Sequence, residues 1–164
     1  RTMPSSPVGR YTSTSLFMRK WDTAVRHLSL PGQGRFGQSA ERRDHPILAQ
    51  TRDWLRRYFA GEAPEPRELP LKPRGTPFRE LVWELLLQIP YGQTVSYGAL
   101  AKKAADILGK PKMSAQAVGQ AVGANPIPII IPCHRVVGAD GSLTGYAGGI
   151  HYKSYLLELE APEP

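Results

Sequence analysis

The chain of 164 residues is 41% hydrophobic, which suffices for the core of one compact domain or of two small ones. Its single cysteine excludes an intrachain disulfide and a cysteine-rich zinc site, its histidines at 27, 45, 134 and 151 lack metal-ligand spacing, and no apolar run is long enough to cross a bilayer, so a soluble, cytoplasmic protein without a metal is expected. The formal charge of +7 and pI near 9.8 fit a nucleic-acid partner, although the excess lies in residues 1–74, with 14 Lys and Arg against 7 Asp and Glu, while residues 75–164 balance at 7 against 7.

Residues 1–40 are rich in Ser, Thr, Gly and Arg and alternate poorly, with Tyr11–Phe17 and Ala24–Leu30 as candidates for short strands. From Asp44 a helix is expected. Asp44 is a capping residue, Pro46 sits early, and Ile47, Leu48, Thr51, Trp54, Leu55, Tyr58 and Phe59 recur at helical spacing before Gly61 ends it. Such a stripe reads as core and assigns no functional role to Trp54 or Tyr58. Pro64, Pro66, Pro70 and Pro73 make residues 62–75 an extended linker and a domain boundary.

Thr76-Pro77 opens the next helix with a cap followed by proline, and Phe78, Leu81, Val82, Leu85, Leu86 and Ile89 mark its buried face before Pro90-Tyr91-Gly92 stops it. Ser96 caps a third helix carrying Tyr97, Leu100, Ala101 and Ala104, and Ser114 a fourth running from Ala115 to Val122. Two short helices with a linker have the shape of a helix-turn-helix. The fourth consists almost wholly of small residues, which let a backbone approach another surface closely. Pattern alone favours core packing over a groove. Lys102, Lys103, Lys110 and Lys112 face only Asp106 in this region, a local basic patch that a solvated helix face would also produce.

The stretch Asn125-Pro126-Ile127-Pro128-Ile129-Ile130-Ile131-Pro132-Cys133-His134-Arg135-Val136 holds the only cysteine, directly after a proline and before a histidine. The thiolate is the nucleophilic form of cysteine, and His134 and Arg135 are neighbours of the kind that raise its share at neutral pH. Taken as a lone pair, Cys133 and His134 equally describe a small buried hydrophobe beside a histidine. Gly138-Ala139-Asp140-Gly141 signals a turn between Arg135–Val137 and Leu143, so a small hairpin or wing is expected. Gly145-Tyr146-Ala147-Gly148-Gly149 sets one aromatic among residues without bulk, either a plain loop or a pocket wall where Tyr146 packs on a planar ligand. Residues 153–160 form the last helix, with Tyr155, Leu156 and Leu159 on its apolar side.

With these motifs in this order, residues 76–160 resemble the O6-alkylguanine-DNA alkyltransferases, whose hallmark is a Pro-Cys-His-Arg-Val box preceded by Asn-Pro and an aliphatic run. Ser6-Pro7-Val8-Gly9 is similar to the opening of many members. The resemblance implies an α+β fold: a small α/β amino-terminal domain, residues 1–70, and a mainly helical, winged-helix-like domain, residues 75–164, that contains the helix-turn-helix and the whole active site. It implies a monomeric, single-turnover repair protein at the nucleoid that moves an alkyl group from O6 of guanine, or O4 of thymine, in double-stranded DNA to its own Cys133, with no cofactor. His134 would assist deprotonation of Cys133 through a water and Glu160 would polarise His134. Asn125 would tie the helix-turn-helix to the active-site strand, and Tyr97 would donate a proton toward the departing base.

The resemblance further implies that the fourth helix enters the minor groove, with Ser114, Ala115, Gln116 and Ala117 at the DNA. The target nucleotide must rotate out of the stack to be reached. Val136, Tyr146 and Gly148, with Tyr97, would line its pocket, and Arg135 and Lys153 belong among the binding residues. A thioether is a poor leaving group and no second thiol exists to resolve it, so each molecule would act once. One position departs from the family: an arginine that props the base stack is replaced by Gln116, which is shorter and uncharged.

Three other readings compete. An alkyltransferase-like lesion sensor without transfer carries another residue, commonly tryptophan, where this chain keeps Cys133. A helix-turn-helix regulator needs base-reading polar side chains, and Ala115 to Val122 offers only Gln116 and Gln120. A cysteine hydrolase needs an oxyanion hole and turnover, which nothing around the box suggests.

Overall fold

The structure is a computed structural model that describes residues 24–26, 28, 46–146 and 148–162. The expected strand at 11–17, the expected cap Asp44 and Ala147 of the loop that holds Tyr146 lie outside these residues. Among the described residues the order is α1 (Pro46–Phe59), a 3-10 turn (Pro66–Glu68), α2 (Pro77–Leu86), β1 (Val95–Ser96), α3 (Tyr97–Leu108), α4 (Ala115–Gly123), a second 3-10 turn (Cys133–Arg135), β2 (Val136–Val137) and α5 (Ile150–Glu160). This is a mixed, mainly helical arrangement with one small two-stranded sheet.

Three consecutive helices begin at hydroxyl caps, as their sequences dictate. Thr76 Oγ1 accepts from the Arg79 amide at 3.3 Å, Ser96 Oγ from Ala99 at 3.1 Å, and Ser114 Oγ from Gln116 and Ala117 at 3.1 and 3.3 Å. Gly109, at φ +65°, closes α3 in the left-handed conformation that glycine adopts without strain. The last helix starts a turn earlier than expected, at Ile150 after Gly149. Ile150 and His151 are exposed, so the first turn adds nothing to the buried stripe of the helix.

Helices α2, α3 and α4 pack together around Val82, Leu86, Leu100, Ala104, Val118 and Val122, all nearly inaccessible. The Trp83 indole donates to the Ala121 carbonyl at 2.9 Å and fastens α4 to α2. Core packing therefore takes only one face of α4, Val118, Ala121 and Val122, while Ala115, Gln116 and Gln120 stay exposed. Trp54 and Tyr58 of α1 belong to the same core.

The proline-rich residues 62–75 are not extended throughout, since the 3-10 turn Pro66–Glu68 interrupts them and Ala63 sits at φ +51°, and they are packed down. Leu69 is buried, the Trp54 indole donates to the Glu65 carbonyl at 2.8 Å, and Leu71 forms an isolated parallel bridge with Val25. Of the strand expected at 24–30, the described residues show only this bridge at Val25. The Leu28 amide donates to the Pro126 carbonyl at 2.8 Å, which brings the amino-terminal residues against the stretch preceding Cys133.

The expected hairpin does not form. β2 pairs in parallel with β1, Val136 opposite Val95 and Ser96 opposite Val137. The turn after β2 is real: the Gly138 amide donates to the Ser142 carbonyl at 2.9 Å, and a Cβ at Gly138 would lie 2.3 Å from Ser142 Oγ. It leads into residues 143–146, which pair with no strand. Val136 is wholly buried, and an apolar strand drawn into the core finds its partner there, at the residues entering α3.

Candidate active site

The chain between α4 and Cys133 is a compact turn and not the strand expected there. Asn125 organises it: its Nδ2 donates to the Ile131 carbonyl at 2.8 Å and its Oδ1 accepts from the Ile127 amide at 3.0 Å. The Ile131 amide also donates to the Ile127 carbonyl at 3.0 Å. Ile129 sits at φ +74°, a conformation that β-branched residues rarely adopt. Burial of Ile127, Ile129, Ile130 and Ile131 holds it there. The next residues wind into the 3-10 turn that places Cys133, His134 and Arg135 inside the protein.

Cys133 is only 7% exposed. Burial pushes its thiol up to about 11, with the Asn125 side chain and the Lys153 charge pulling the other way. At neutral pH the resting group is therefore a thiol, and it reacts as a thiolate only if a base takes its proton.

His134 is fully buried, and its Nε2 lies 2.7 Å from Glu160 Oε1. A carboxylate only accepts, which assigns the ring proton to Nε2. Nδ1 is buried and has no hydrogen-bond partner among the described residues. Burial lowers the His134 pKa and outweighs the raising effect of Glu160, so the ring is neutral at pH 7 with a bare nitrogen.

Glu160 is held from several sides. Arg135 donates Nε to Oε2 at 2.8 Å and Nη2 to Oε1 at 2.9 Å, while its Nη1 donates to the Ile89 carbonyl at 2.6 Å. The Gly92 amide donates to Oε2 at 3.4 Å, and the Tyr58 hydroxyl donates to Oε1 at 2.6 Å. Burial acts to raise the Glu160 pKa, but the hydrogen bonds from His134 and Arg135 hold it down at about 2.

Two expectations change here. Arg135 is neither a DNA contact nor a cation facing the thiol: it is 5% exposed and its guanidinium is committed to Glu160 and Ile89. The site is not confined to residues after Thr76 either, because Tyr58 of α1 reaches it. A hydroxyl in the buried stripe of α1 was the available signal, since a buried phenol must find an acceptor.

Beside Cys133 lies a second cluster. The Tyr97 hydroxyl donates to the Thr144 carbonyl at 3.2 Å, and Lys153 Nζ donates to the same carbonyl at 3.0 Å and lies 3.5 Å from the hydroxyl. Lys153 is fully buried, unlike a residue waiting at the surface for DNA, and burial lowers its pKa while Cys133 acts to raise it. Tyr146 and Gly148 are half-buried, and Tyr146 packs against the core. Val136 is part of the core itself.

Helix α4 approaches this cluster closely, since a Cβ at Gly119 would lie 3.8 Å from the Tyr97 ring. At its start Ser114, Ala115 and Gln116 are exposed and Ala117 is half-buried, with the Ser114 hydroxyl spent on the cap. Lys102 and Lys103 are exposed in the middle of α3, and Lys110 and Lys112 in the loop between α3 and α4.

Comparison with known proteins gives a consistent result. Residues 77–162, more than half of the chain, match the family model described as 6-O-methylguanine DNA methyltransferase, DNA binding domain. The chain is 56% identical over 108 residues to the methylated-DNA--protein-cysteine methyltransferase of Mycobacterium tuberculosis, covering 66% of this chain and 62% of that protein. It is 46% identical over 115 residues to the Haemophilus influenzae protein of the same name, covering 70% and 62%. The match thus spans less than two thirds of these curated relatives. The crystal structure of Mycobacterium tuberculosis OGT in complex with DNA superposes with a TM-score of 0.67 at 46% identity, covering 84% of this chain and 83% of that one.

Proposed function

Because this chain belongs to the 6-O-methylguanine DNA methyltransferase family, we propose that it is a single-turnover DNA repair protein that takes an alkyl group from O6 of guanine in duplex DNA onto Cys133. The observation that carries this reading is the pairing of a buried thiol with a neutral His134 whose Nε2 proton is committed to Glu160 and whose Nδ1 is bare. The proton of Cys133 passes to Nδ1, through a water. Sγ then forms a bond to the alkyl carbon as the bond from that carbon to O6 breaks, and the electron pair stays with the base. Tyr97, its hydroxyl between Thr144 and Lys153, donates a proton toward the departing guanine. The product is a thioether, and no second thiol exists to release it.

The exposed start of α4 and the flanking lysines form the DNA-facing surface, with the helix in the minor groove and the target nucleotide turned into a pocket under Tyr146 and Gly148. The protein acts as a monomer, in the cytoplasm at the nucleoid. Its amino-terminal α/β part, residues 1–70, precedes the DNA-binding part, residues 75–164, and α1 shares the core of the latter beside the active site.

Intact-mass analysis after incubation with duplex DNA containing O6-methylguanine tests the reading. One methyl group in place of one hydrogen, mapped to Cys133, is the expected result. No mass gain, or a gain mapped to another residue, contradicts it.

A further inference from the structure

We propose that Tyr58 is a positioning residue for the His134–Glu160 pair: its hydroxyl, carried in by α1, occupies Glu160 Oε1 beside the His134 Nε2 proton and keeps the carboxylate from pulling that ring into its protonated, inactive form. The inference rests on the alkyl-transfer reading in one respect, that His134 serves Cys133 as base.

The geometry fixes who donates to whom. The Tyr58 hydroxyl lies 2.6 Å from Glu160 Oε1 and 3.4 Å from His134 Nε2, so its proton goes to the carboxylate. His134 Nε2 and Arg135 Nη2 share that oxygen at 2.7 and 2.9 Å. Burial above all, and then the Glu160 charge, raise the Tyr58 pKa far beyond the ordinary phenol range, so it stays a donor wherever the protein is folded. Nor is its ring free to turn away. It stacks on Trp54 at 5.5 Å between centroids and an interplanar angle of 8°, and it meets Phe59, Tyr91 and His134 edge-on at 5.2, 6.0 and 6.4 Å.

Each donor on Oε1 draws negative charge from the oxygen that would stabilise an imidazolium. The charged and titratable groups facing the pair are Tyr58 from α1, Tyr91 from the turn after α2, Cys133 and Arg135 from the 3-10 turn, and Lys153 and Glu160 from α5. Arg135 and Lys153 oppose protonation of His134, and Glu160 favours it. Without the Tyr58 hydroxyl the Glu160 charge acts on His134 more strongly, the ring protonates at higher pH, and Nδ1 is blocked as a base over a wider acid range.

The test is Tyr58→Phe in the full chain, read as single-turnover alkylation of Cys133 across the acid-to-neutral range. The rate at neutral pH should fall roughly tenfold, the scale of a lost hydrogen bond to a charged group. The acid limb should move to higher pH, with affinity for undamaged duplex DNA unchanged. In a Glu160→Gln background the same substitution should slow transfer little further. An unmoved acid limb, with a rate loss that persists undiminished in the Glu160→Gln background, would reduce Tyr58 to packing and overturn the proposal.

If Tyr58→Phe does not fold, the imidazole nitrogen chemical shifts of His134 in the unaltered protein decide. A protonated Nε2 and a lone pair on Nδ1 are expected, and the reverse tautomer, with Nε2 accepting from Tyr58, overturns the proposal. Should the unaltered protein fail to alkylate Cys133 at any pH, the transfer reading falls on its own, and the same nitrogen shifts still judge the Tyr58 assignment.

Discussion

Glu160 and the exposed face of α4 are opposite solutions to preparing a site. Around Glu160 the carboxylate oxygens already receive His134, Arg135, Tyr58 and Gly92, at 3% exposure. The carboxylate's partners are already in place and little reorganisation is left for the moment of reaction, which is where fixed dipoles act most strongly. The start of α4 presents Ala115, Gln116 and Ala117, with a hydroxyl used only to cap the helix. A surface of that kind binds by close approach and charge from its neighbours, and it commits its few polar groups only when a partner arrives. On the proposed reading, chemistry is built into the protein beforehand, whereas recognition is left to the complex.

Predictions that break the buried side should have the largest effects. Cys133→Ser should abolish transfer, since an alcohol is far harder to ionise than a thiol, while DNA binding measured by titration stays nearly intact. Arg135→Met leaves the Glu160 charge buried without the two hydrogen bonds of its guanidinium partner. It should cost roughly 3–5 kcal/mol of stability in denaturant unfolding, and equal stability would show that the carboxylate does not depend on Arg135. His134→Ala removes the base and should slow alkylation by about 10²–10⁴-fold at neutral pH, with a smaller loss at alkaline pH, where the thiol near 11 begins to ionise unaided.

Acid should loosen the same cluster in a defined window. The Glu160 carboxyl is held at about 2 against an ordinary value of 4.5, so the unfolded chain takes up this proton first as pH falls. Its contribution to stability is complete above about 4.5 and disappears progressively toward 2. Thermal unfolding of Glu160→Gln should show a correspondingly flatter dependence in that range.

The exposed side should respond more gently. Gln116→Arg adds a planar cation that stacks and hydrogen-bonds, which should strengthen duplex binding and speed duplex repair severalfold. It should change little with free O6-benzylguanine, where no nucleotide has to be flipped. Equal effects on both substrates, or slower duplex repair, would remove Gln116 from the flipping step.

What was legible in the sequence follows the same division. Caps at Thr76, Ser96 and Ser114 act within one helical turn, so the helices around the helix-turn-helix could be read directly, as could the turn at Gly138. The partners of buried polar groups could not be. Periodicity says that Tyr58 is inside but not that its hydroxyl lies 2.6 Å from a carboxylate 102 residues on. Arg135 and Lys153 look like surface cations because most are, and only the fold shows one committed to Glu160 and the other beneath Thr144. The parallel pairing of β1 with β2 was equally hidden, since Val95–Ser96 is too short for a pattern and its partner lies across α3 and α4.

On the proposed mechanism Cys133 receives the alkyl group and never gives it up. Counting repaired guanines per protein molecule, with O6-methylguanine duplex in large excess and the reaction followed to completion, tests it most directly. Repair should stop at one guanine per molecule, with every Cys133 converted to a thioether. Continued repair beyond one per molecule, or completed repair with Cys133 still a free thiol, would contradict it.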